Sequence, residues 1–111
     1  EALSRLRSLE DPQNPGFVSE IFGDYLGSLD AQIEKIRTAV AAGDVEALRA
    51  AAHTFKGSSA SVGAEQLRLI AVRIEELSST PESRDLAGVV HELELAAEST
   101  RGVMETLPEM G

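Results

Sequence analysis

The sequence predicts an all-α domain, namely an antiparallel up-down-up-down four-helix bundle with a short extra N-terminal helix. Apolar residues recur at steps of three and four, no segment alternates strictly between apolar and polar residues, and proline or glycine separates the periodic stretches. Amphipathic helices joined by short connections pack as antiparallel neighbours. The 111 residues have room for a single domain with one hydrophobic core.

The first two predicted helices cover residues 2–10 and 15–42. The short helix places three leucines on one narrow stripe, and Asn14 and Pro15 then offer an N-cap and a first helical residue to the long helix. The long helix is amphipathic and ends where Gly43 supplies a stop. Its apolar stripe consists of Val18, Ile21, Tyr25, Leu29, Ile33, Ile36 and Val40.

The next two helices are predicted over residues 44–62 and 64–77. Asp44 is the expected N-cap of the first, and Gly63 is the expected stop between them. Alternating steps of three and four are typical of a helix that faces a partner helix. The two stripes are Val45, Leu48, Ala52, Phe55, Ser59 and Val62, then Leu67, Ile70, Ile74 and Leu77.

The last helix is predicted over residues 81–107. Thr80 is its expected N-cap, Pro81 its first residue and Pro108 its terminator. Its apolar residues follow the same spacing and predict one buried face. They are Leu86, Val90, Leu93, Ala97, Thr100, Met104 and Leu107.

Composition disfavours several classes of function. The 19 acidic and 10 basic residues give a formal net charge of −9, which opposes binding to nucleic acid. Only 4% of residues are aromatic, and there is no cysteine for a disulfide, a thiolate nucleophile or a metal site. No apolar run approaches the ~20 residues of a membrane span, and the N-terminus does not resemble a signal peptide. We therefore expect a cytoplasmic protein with no nucleic-acid partner and no membrane contact.

His53 is the first candidate functional residue. The helical wheel places it roughly 130° from the centre of the apolar stripe and so toward solvent. A solvated helix face normally carries long charged side chains, but the residues one turn away are Ala50, Gly57, Ala60 and Ser61. Glycine at a helix interior costs about 1 kcal/mol relative to alanine. The bare face indicates close approach from outside.

Lys56 adds chemistry to this face, because it lies one helical turn from His53. A neutral imidazole is a nucleophile near pH 7, and a phosphoryl group on it carries close to two negative charges, which a lysine partly offsets. His53, Lys56 and Gly57 therefore fit a phosphate-accepting site with a nucleophile, a charge partner and clearance. The alternative is a solvated lysine beside a glycine that serves close packing.

Residues 53–77, HTFKGSSASVGAEQLRLIAVRIEEL, resemble the signature of histidine phosphotransfer (HPt) domains. The shared pattern is the histidine, a hydrophobic residue two positions on, Lys-Gly-Ser-Ser, a glycine ten positions on, and a helix with a late Ile-Glu. The upstream LEDPQNPGFVSEIFGDYL is similar to the N-terminal part of stand-alone phosphorelay intermediates of plants and yeast. Phe55 departs from the more frequent leucine, on the core side of its helix.

The resemblance implies a four-helix bundle that carries a phosphoryl group on His53. The group comes from the aspartate of a receiver domain in a hybrid sensor kinase and passes to the receiver of a response regulator. The carrier has no kinase or phosphatase activity and no cofactor of its own, because the receiver contributes the acidic pocket and the magnesium. By the same motif, Lys56 helps to hold the phosphoryl group and Gly57 lets the receiver loop approach.

Glu75 falls where the family has Gln or Glu beside the histidine. Counting residues from the intervening turn places it at a similar height to His53 on the antiparallel helix. A carboxylate there accepts a hydrogen bond from one ring nitrogen and directs the other outward. The alternative for Glu75 is a solvated acidic residue.

The docking mode of the family implies partner contacts on two helices. Phe22 and Leu26 on the long helix would add apolar area, with burial in the core as the alternative, and Ala50, Ala60 and Ser61 would complete the surface. A monomer is expected, since this face must stay open.

Other candidates carry less chemistry. His91 is predicted to be a surface histidine without a cleared face, and no HExxH pattern or carboxylate cluster indicates a metal site. Gly23 and Gly27 stand one turn apart and leave a groove for helix packing or for a partner.

Two other functions stay open. One is a scaffolding bundle without phosphotransfer, against which the intact phosphate-accepting residues argue. The other is the phosphoacceptor domain of a chemotaxis-type histidine kinase, against which the likeness to stand-alone carriers argues. Because the chain begins at Glu1 rather than methionine, a C-terminal domain of a hybrid sensor kinase also stays open as an alternative to a stand-alone carrier.

Overall fold

The computed structural model describes residues 17–80 and 83–106, which form four α-helices. Consecutive helices pack against each other, and the last packs against the first, so the four close into a bundle. Within these ranges no helix combines the length and the apolar content that crossing a bilayer requires. The helices are α1 (Phe17–Ala42), α2 (Val45–Ser61), α3 (Glu65–Leu77) and α4 (Arg84–Glu105).

The all-α bundle that the sequence predicts is confirmed. The predicted N-terminal helix over residues 2–10, and the predicted cap and first residue of the long helix at Asn14 and Pro15, lie outside the described residues. The predicted ends at Gly43 and Gly63 are confirmed, because both glycines adopt left-handed backbone angles, with φ of 66° and 73°.

The start of α2 is set by its predicted N-cap. The side chain of Asp44 accepts a hydrogen bond from the backbone N–H of Ala47 at 3.0 Å. Such a cap satisfies one of the N–H groups that the first turn of a helix leaves unpaired. The helix that carries His53 therefore has both ends fixed by local sequence signals.

The start of α4 differs from the prediction. The Thr80 hydroxyl donates to the Leu77 carbonyl at the end of α3, at 3.3 Å, and so serves the preceding helix. Ser83 is the N-cap instead, since its side chain accepts from the backbone N–H of Asp85 at 3.1 Å. The prediction that Thr80 caps this helix is wrong. The predicted first residue, Pro81, and the predicted terminator, Pro108, lie outside the described residues.

The core is one apolar cluster to which all four helices contribute. In α4 the buried face includes Val89 and Ala96, while the predicted Val90 is only partly buried. The face is broader than a stripe at steps of three and four, as is usual for a helix that packs against two neighbours. The large apolar side chains that are fully buried are Phe22, Leu29, Ile36, Leu48, Phe55, Leu67, Ile74, Leu86 and Leu93.

Two polar contacts fix the rotation of α2 against α1. The hydroxyls of Tyr25 and Ser59 are 2.8 Å apart in the buried interface, and either oxygen can donate. Burial raises the pKa of Tyr25. The Ser58 hydroxyl donates to Gln32 Oε1 at 3.0 Å nearby. A buried hydroxyl without a partner costs about 1–3 kcal/mol, so this pairing disfavours other rotations of α2.

Candidate functional site

His53 lies on the outer face of α2, with its side chain 71% exposed. Its neighbours Ala52 and Phe55 point into the core and are fully buried. The prediction that His53 faces solvent is therefore confirmed. Because the caps and the buried contacts to α1 hold α2 in place, the imidazole projects from a rigid element.

Glu75 on α3 contacts His53 and Lys56 at the same time. Its Oε1 lies 2.6 Å from Lys56 Nζ, and its Oε2 lies 3.5 Å from His53 Nδ1. The hydrogen bond from Lys56 lowers the pKa of Glu75 below its ordinary value of 4.5, with further help from the charges of Lys56 and His53 and against the opposing effect of burial. The carboxylate is therefore ionised at neutral pH.

This contact bears on the direction of the imidazole. An Nδ1–H that points at the Glu75 carboxylate leaves the lone pair on Nε2, at the far side of the ring. The side chain of Glu75 is only 22% exposed, whereas that of His53 is largely exposed. The arrangement thus leaves Nε2 available to a molecule arriving from solvent.

The helix surface beside His53 carries only short side chains or none. Gly57 is exposed, and a Cβ built on it meets no atom within 4 Å. Ala50, Ala60 and Ser61 are exposed as well. The Ser61 hydroxyl donates to the Gly57 carbonyl at 3.1 Å and so lies along the helix. No long side chain from these four residues stands between the imidazole and solvent.

The low relief continues into a shallow groove between α1 and α2. Thr54 follows His53 in sequence and lines this groove. Six of its twelve lining residues are alanines, whose short side chains leave room for side chains of a second molecule, and the other six are polar or charged. The lining alanines are Ala31, Ala39, Ala42, Ala47, Ala50 and Ala51.

Phe22 lies in the core with 1% exposure, so the prediction that it contacts a partner is wrong. It precedes Tyr25 and Leu29 by three and seven residues, which places it on the buried face. Leu26 is partly buried against the same core. At Gly23 and Gly27 a Cβ would meet nothing within 4 Å, so no helix of the described chain packs closely there.

Sequence reasoning missed Arg49. It lies four residues before His53, so the two are neighbours on one side of α2. Its Nε donates to the hydroxyl of Ser78, the buried C-cap residue of α3, at 3.3 Å. The Ser78 hydroxyl in turn donates to the Glu75 carbonyl at 2.8 Å. The spacing of four from His53 is the signal that could have found it.

His91 is a surface residue as predicted, with its side chain 71% exposed and Nδ1 3.8 Å from Glu94 Oε1. The prediction that it has no cleared face is wrong, because the exposed Gly88 lies one helical turn before it and a Cβ there meets nothing within 4 Å. Glu94 is bound by Arg37 of α1, whereas the lysine that binds Glu75 lies on the same helix as His53. Across residues 17–80 and 83–106, no three histidine, aspartate or glutamate side chains converge as metal ligands.

Replacing Glu75 by glutamine should destabilise the protein at neutral pH but not in acid. The lowered pKa means that ionised Glu75 contributes stability above pH 4.5, and that this contribution is lost as pH falls through the folded-state pKa. We expect Glu75→Gln to lower the free energy of unfolding at neutral pH by about 0.5–1 kcal/mol. Urea unfolding over a pH series measures the difference, which should narrow below pH 4.5.

Glu76→Gln is the matched control. Glu76 is the next residue in the chain, is exposed, and makes no ion pair with the described residues. Equal losses in the two variants, or a loss in Glu75→Gln that persists in acid, would contradict a stabilising Lys56–Glu75 pair.

Comparison with known proteins identifies a family and a curated relative. A family model described as Hpt domain matches residues 20–103. Histidine-containing phosphotransfer protein 4 of Arabidopsis thaliana is 36% identical over 70 residues, which are 61% of this chain and 55% of the relative. The match thus spans about half the length of that curated relative. Comparison with solved structures gives no significant match.

Proposed function

Because the chain belongs to the Hpt domain family, we propose that it is a phosphoryl carrier whose His53 takes its phosphoryl group from a receiver-domain aspartate. It then passes the group to the receiver domain of a response regulator. The observation that carries the proposal is the Glu75 carboxylate, which contacts both Lys56 Nζ and His53 Nδ1 beneath an exposed imidazole. A nucleophile, a cation and an orienting carboxylate are thereby combined on one open face.

In the proposed transfer, the lone pair of His53 Nε2 attacks the phosphorus of an aspartyl phosphate. The N–P bond forms while the bond from phosphorus to the carboxylate oxygen breaks, and its electron pair leaves with the aspartate. The ring gains positive charge and keeps its proton at Nδ1, where Glu75 stabilises it. The second transfer reverses these bond changes with the carboxylate of the next receiver.

Lys56 is the proposed counterion of the phosphoryl group. In the free protein its ammonium is held by Glu75. A phosphoryl group on His53 brings close to two negative charges within one helical turn, and an ammonium has three N–H donors to share between two acceptors. Lys56 therefore serves the phosphorylated state without leaving the site, and Glu75 keeps it in place before the group arrives.

The bare face around Gly57 is the proposed entry for the partner. An aspartyl phosphate lies on a protein surface, so the imidazole must come within ~3–3.5 Å of phosphorus while two backbones approach each other. The exposed positions at Ala50, Ala60 and Ser61 keep that approach free of long side chains. The alanine-lined groove extends the same low surface toward α1.

The proposal includes several properties of the system around the carrier. The receiver supplies magnesium, and this chain needs no cofactor of its own. A monomer in the cytoplasm fits a carrier whose reactive face must stay open to successive partners. Receiver domains of hybrid sensor kinases and of response regulators are the proposed partners.

The test is transfer of labelled phosphate from a phosphorylated receiver domain. We expect label to move to this protein and to form an adduct that is lost in acid and stable in alkali. If several receivers give no label while an ATP-dependent kinase domain does, a chemotaxis-type phosphoacceptor is the better description. If neither donor gives label, the bundle is a scaffold.

A further inference from the structure

Arg49 is a cation on the reactive face whose charge has no acidic partner in residues 17–80 and 83–106. No carboxylate of these residues lies within 4 Å of its guanidinium, although the side chain is exposed. Lys56, on the other side of His53, is already held by Glu75. Most other arginines of these ranges are paired with carboxylates, namely Arg37, Arg68, Arg73 and Arg101.

One hydrogen bond sets the place of this guanidinium. Arg49 Nε donates to Ser78 Oγ, which leaves the two terminal nitrogens without an acceptor in the described structure. Ser78 lies three residues beyond Glu75, or ~4.5 Å further along the axis of α3. The guanidinium is therefore anchored about one helical turn from the imidazole, at the edge of the reactive centre rather than over the ring.

An arginine that is anchored through Nε and has no acceptor at its terminal nitrogens is suited to bind a carboxylate. Its terminal nitrogens form a planar fork that pairs with both oxygens of a carboxylate. The anchor at Ser78 reduces the side-chain freedom that binding would otherwise cost. The chain as a whole carries a formal net charge of −9, so an acidic surface arriving at His53 meets repulsion unless a local cation opposes it.

We propose that Arg49 is a docking residue that binds an acidic side chain of the partner at the edge of the His53 face. The inference rests on the proposed function and deepens it, because it assigns a charge to the partner surface one turn from the reacting atoms. Arg49 touches neither the phosphoryl group nor the imidazole. It acts on encounter and orientation, as charges at the rim of an interface do.

The test compares two phosphoryl donors, a phosphorylated receiver domain and phosphoramidate, which carries no protein surface. We expect Arg49→Glu to lower kcat/KM for transfer from the receiver by about tenfold, mainly through KM. Labelling by phosphoramidate should change far less. The loss should shrink as salt rises from ~0.05 M to ~0.5 M, because exposed charges are screened. Arg49→Lys should retain most of the transfer.

Arg84→Glu is the matched control for the change in charge. Arg84 is exposed at the start of α4, and no carboxylate lies within 4 Å of it in the described residues. Near-normal transfer in this variant, together with the loss in Arg49→Glu, supports the proposal. The proposal is overturned if Arg49→Glu and Arg84→Glu accept phosphate from the receiver equally well. It is also overturned if Arg49→Glu loses as much labelling by phosphoramidate as by the receiver.

Ser78→Ala tests the structural alternative, in which Arg49 merely braces the end of α3. This variant removes the anchor and keeps the charge. A loss as large as that of Arg49→Glu overturns docking, and a small loss supports it. If the wild-type protein accepts phosphate from phosphoramidate but from no receiver, the receiver role fails and docking fails with it. If the wild type accepts phosphate from a receiver and Arg49→Glu does so at the same rate, docking by Arg49 is refuted while the proposed function stands.

Discussion

His53→Gln should lose all labelling by a phosphorylated receiver, while His91→Gln should be labelled as the wild type is. Glutamine has a similar size and polarity but no ring nitrogen with a nucleophilic lone pair, so the N–P bond cannot form. His91 is an unusually close control. Both side chains are 71% exposed, and in both an Nδ1 lies within 4 Å of a glutamate. Exposure and a nearby carboxylate therefore do not separate them.

The difference between the two histidines lies in their surroundings. Lys56 lies one helical turn from His53 and binds the same carboxylate, Glu75. At His91 the cation on Glu94 is Arg37 from α1, and Gly88, one turn away, is as open as Gly57. A lysine on the histidine's own helix is therefore the feature that separates the two sites. Transfer gels with acid and alkali treatment measure the result, and thermal unfolding checks that both variants fold. Residual acid-labile label on His53→Gln, or loss of label in His91→Gln, would contradict the assignment of the nucleophile.

The parts of the fold that local sequence determines were predictable. Asp44 and Gly63 mark the ends of α2 through a cap and a left-handed residue, and both effects act within a few residues. The start of α4 was not predictable from local sequence, because the stretch SSTPES offers several hydroxyls and packing decides which of them caps the helix. Phe22 was misassigned for a similar reason. Apolar residues at 21 and 22 suit two helix faces, and only the neighbouring helices choose between them.

In the candidate site, too, features set within one helix were predictable and contacts between helices were not. Spacing on one helix placed His53, Lys56 and Gly57 together, and counting from the turn placed Glu75 at their height. The ion pair between Lys56 and Glu75 was not foreseen, since it depends on how α2 and α3 are rotated about their axes and how far apart they lie. The anchor of Arg49 at Ser78 is likewise a contact between helices. Periodicity gives the face of a residue but not the partner of its side chain.

Gly57→Leu should produce a protein that is more stable and nearly inactive in transfer. A side chain at Gly57 meets open space, since a Cβ there has no atom within 4 Å. Leucine is a far better helix former than glycine, so the free energy of unfolding should rise by about 0.5–1 kcal/mol. The same side chain would hold the partner away from the imidazole, and a displacement of ~1 Å lowers the rate about 10²-fold.

Gly102→Leu separates the expected gain in stability from the expected loss of phosphoryl transfer. Gly102 is an exposed glycine within α4, and a Cβ there also meets nothing within 4 Å. Both variants should gain similar stability in urea unfolding, and only Gly57→Leu should lose transfer from a receiver. Normal transfer by Gly57→Leu would show that the bare face is not an entry, and destabilisation would show that the glycine serves packing. A glycine that lowers stability, touches nothing and lies beside the proposed nucleophile, His53, is best explained by what must approach it.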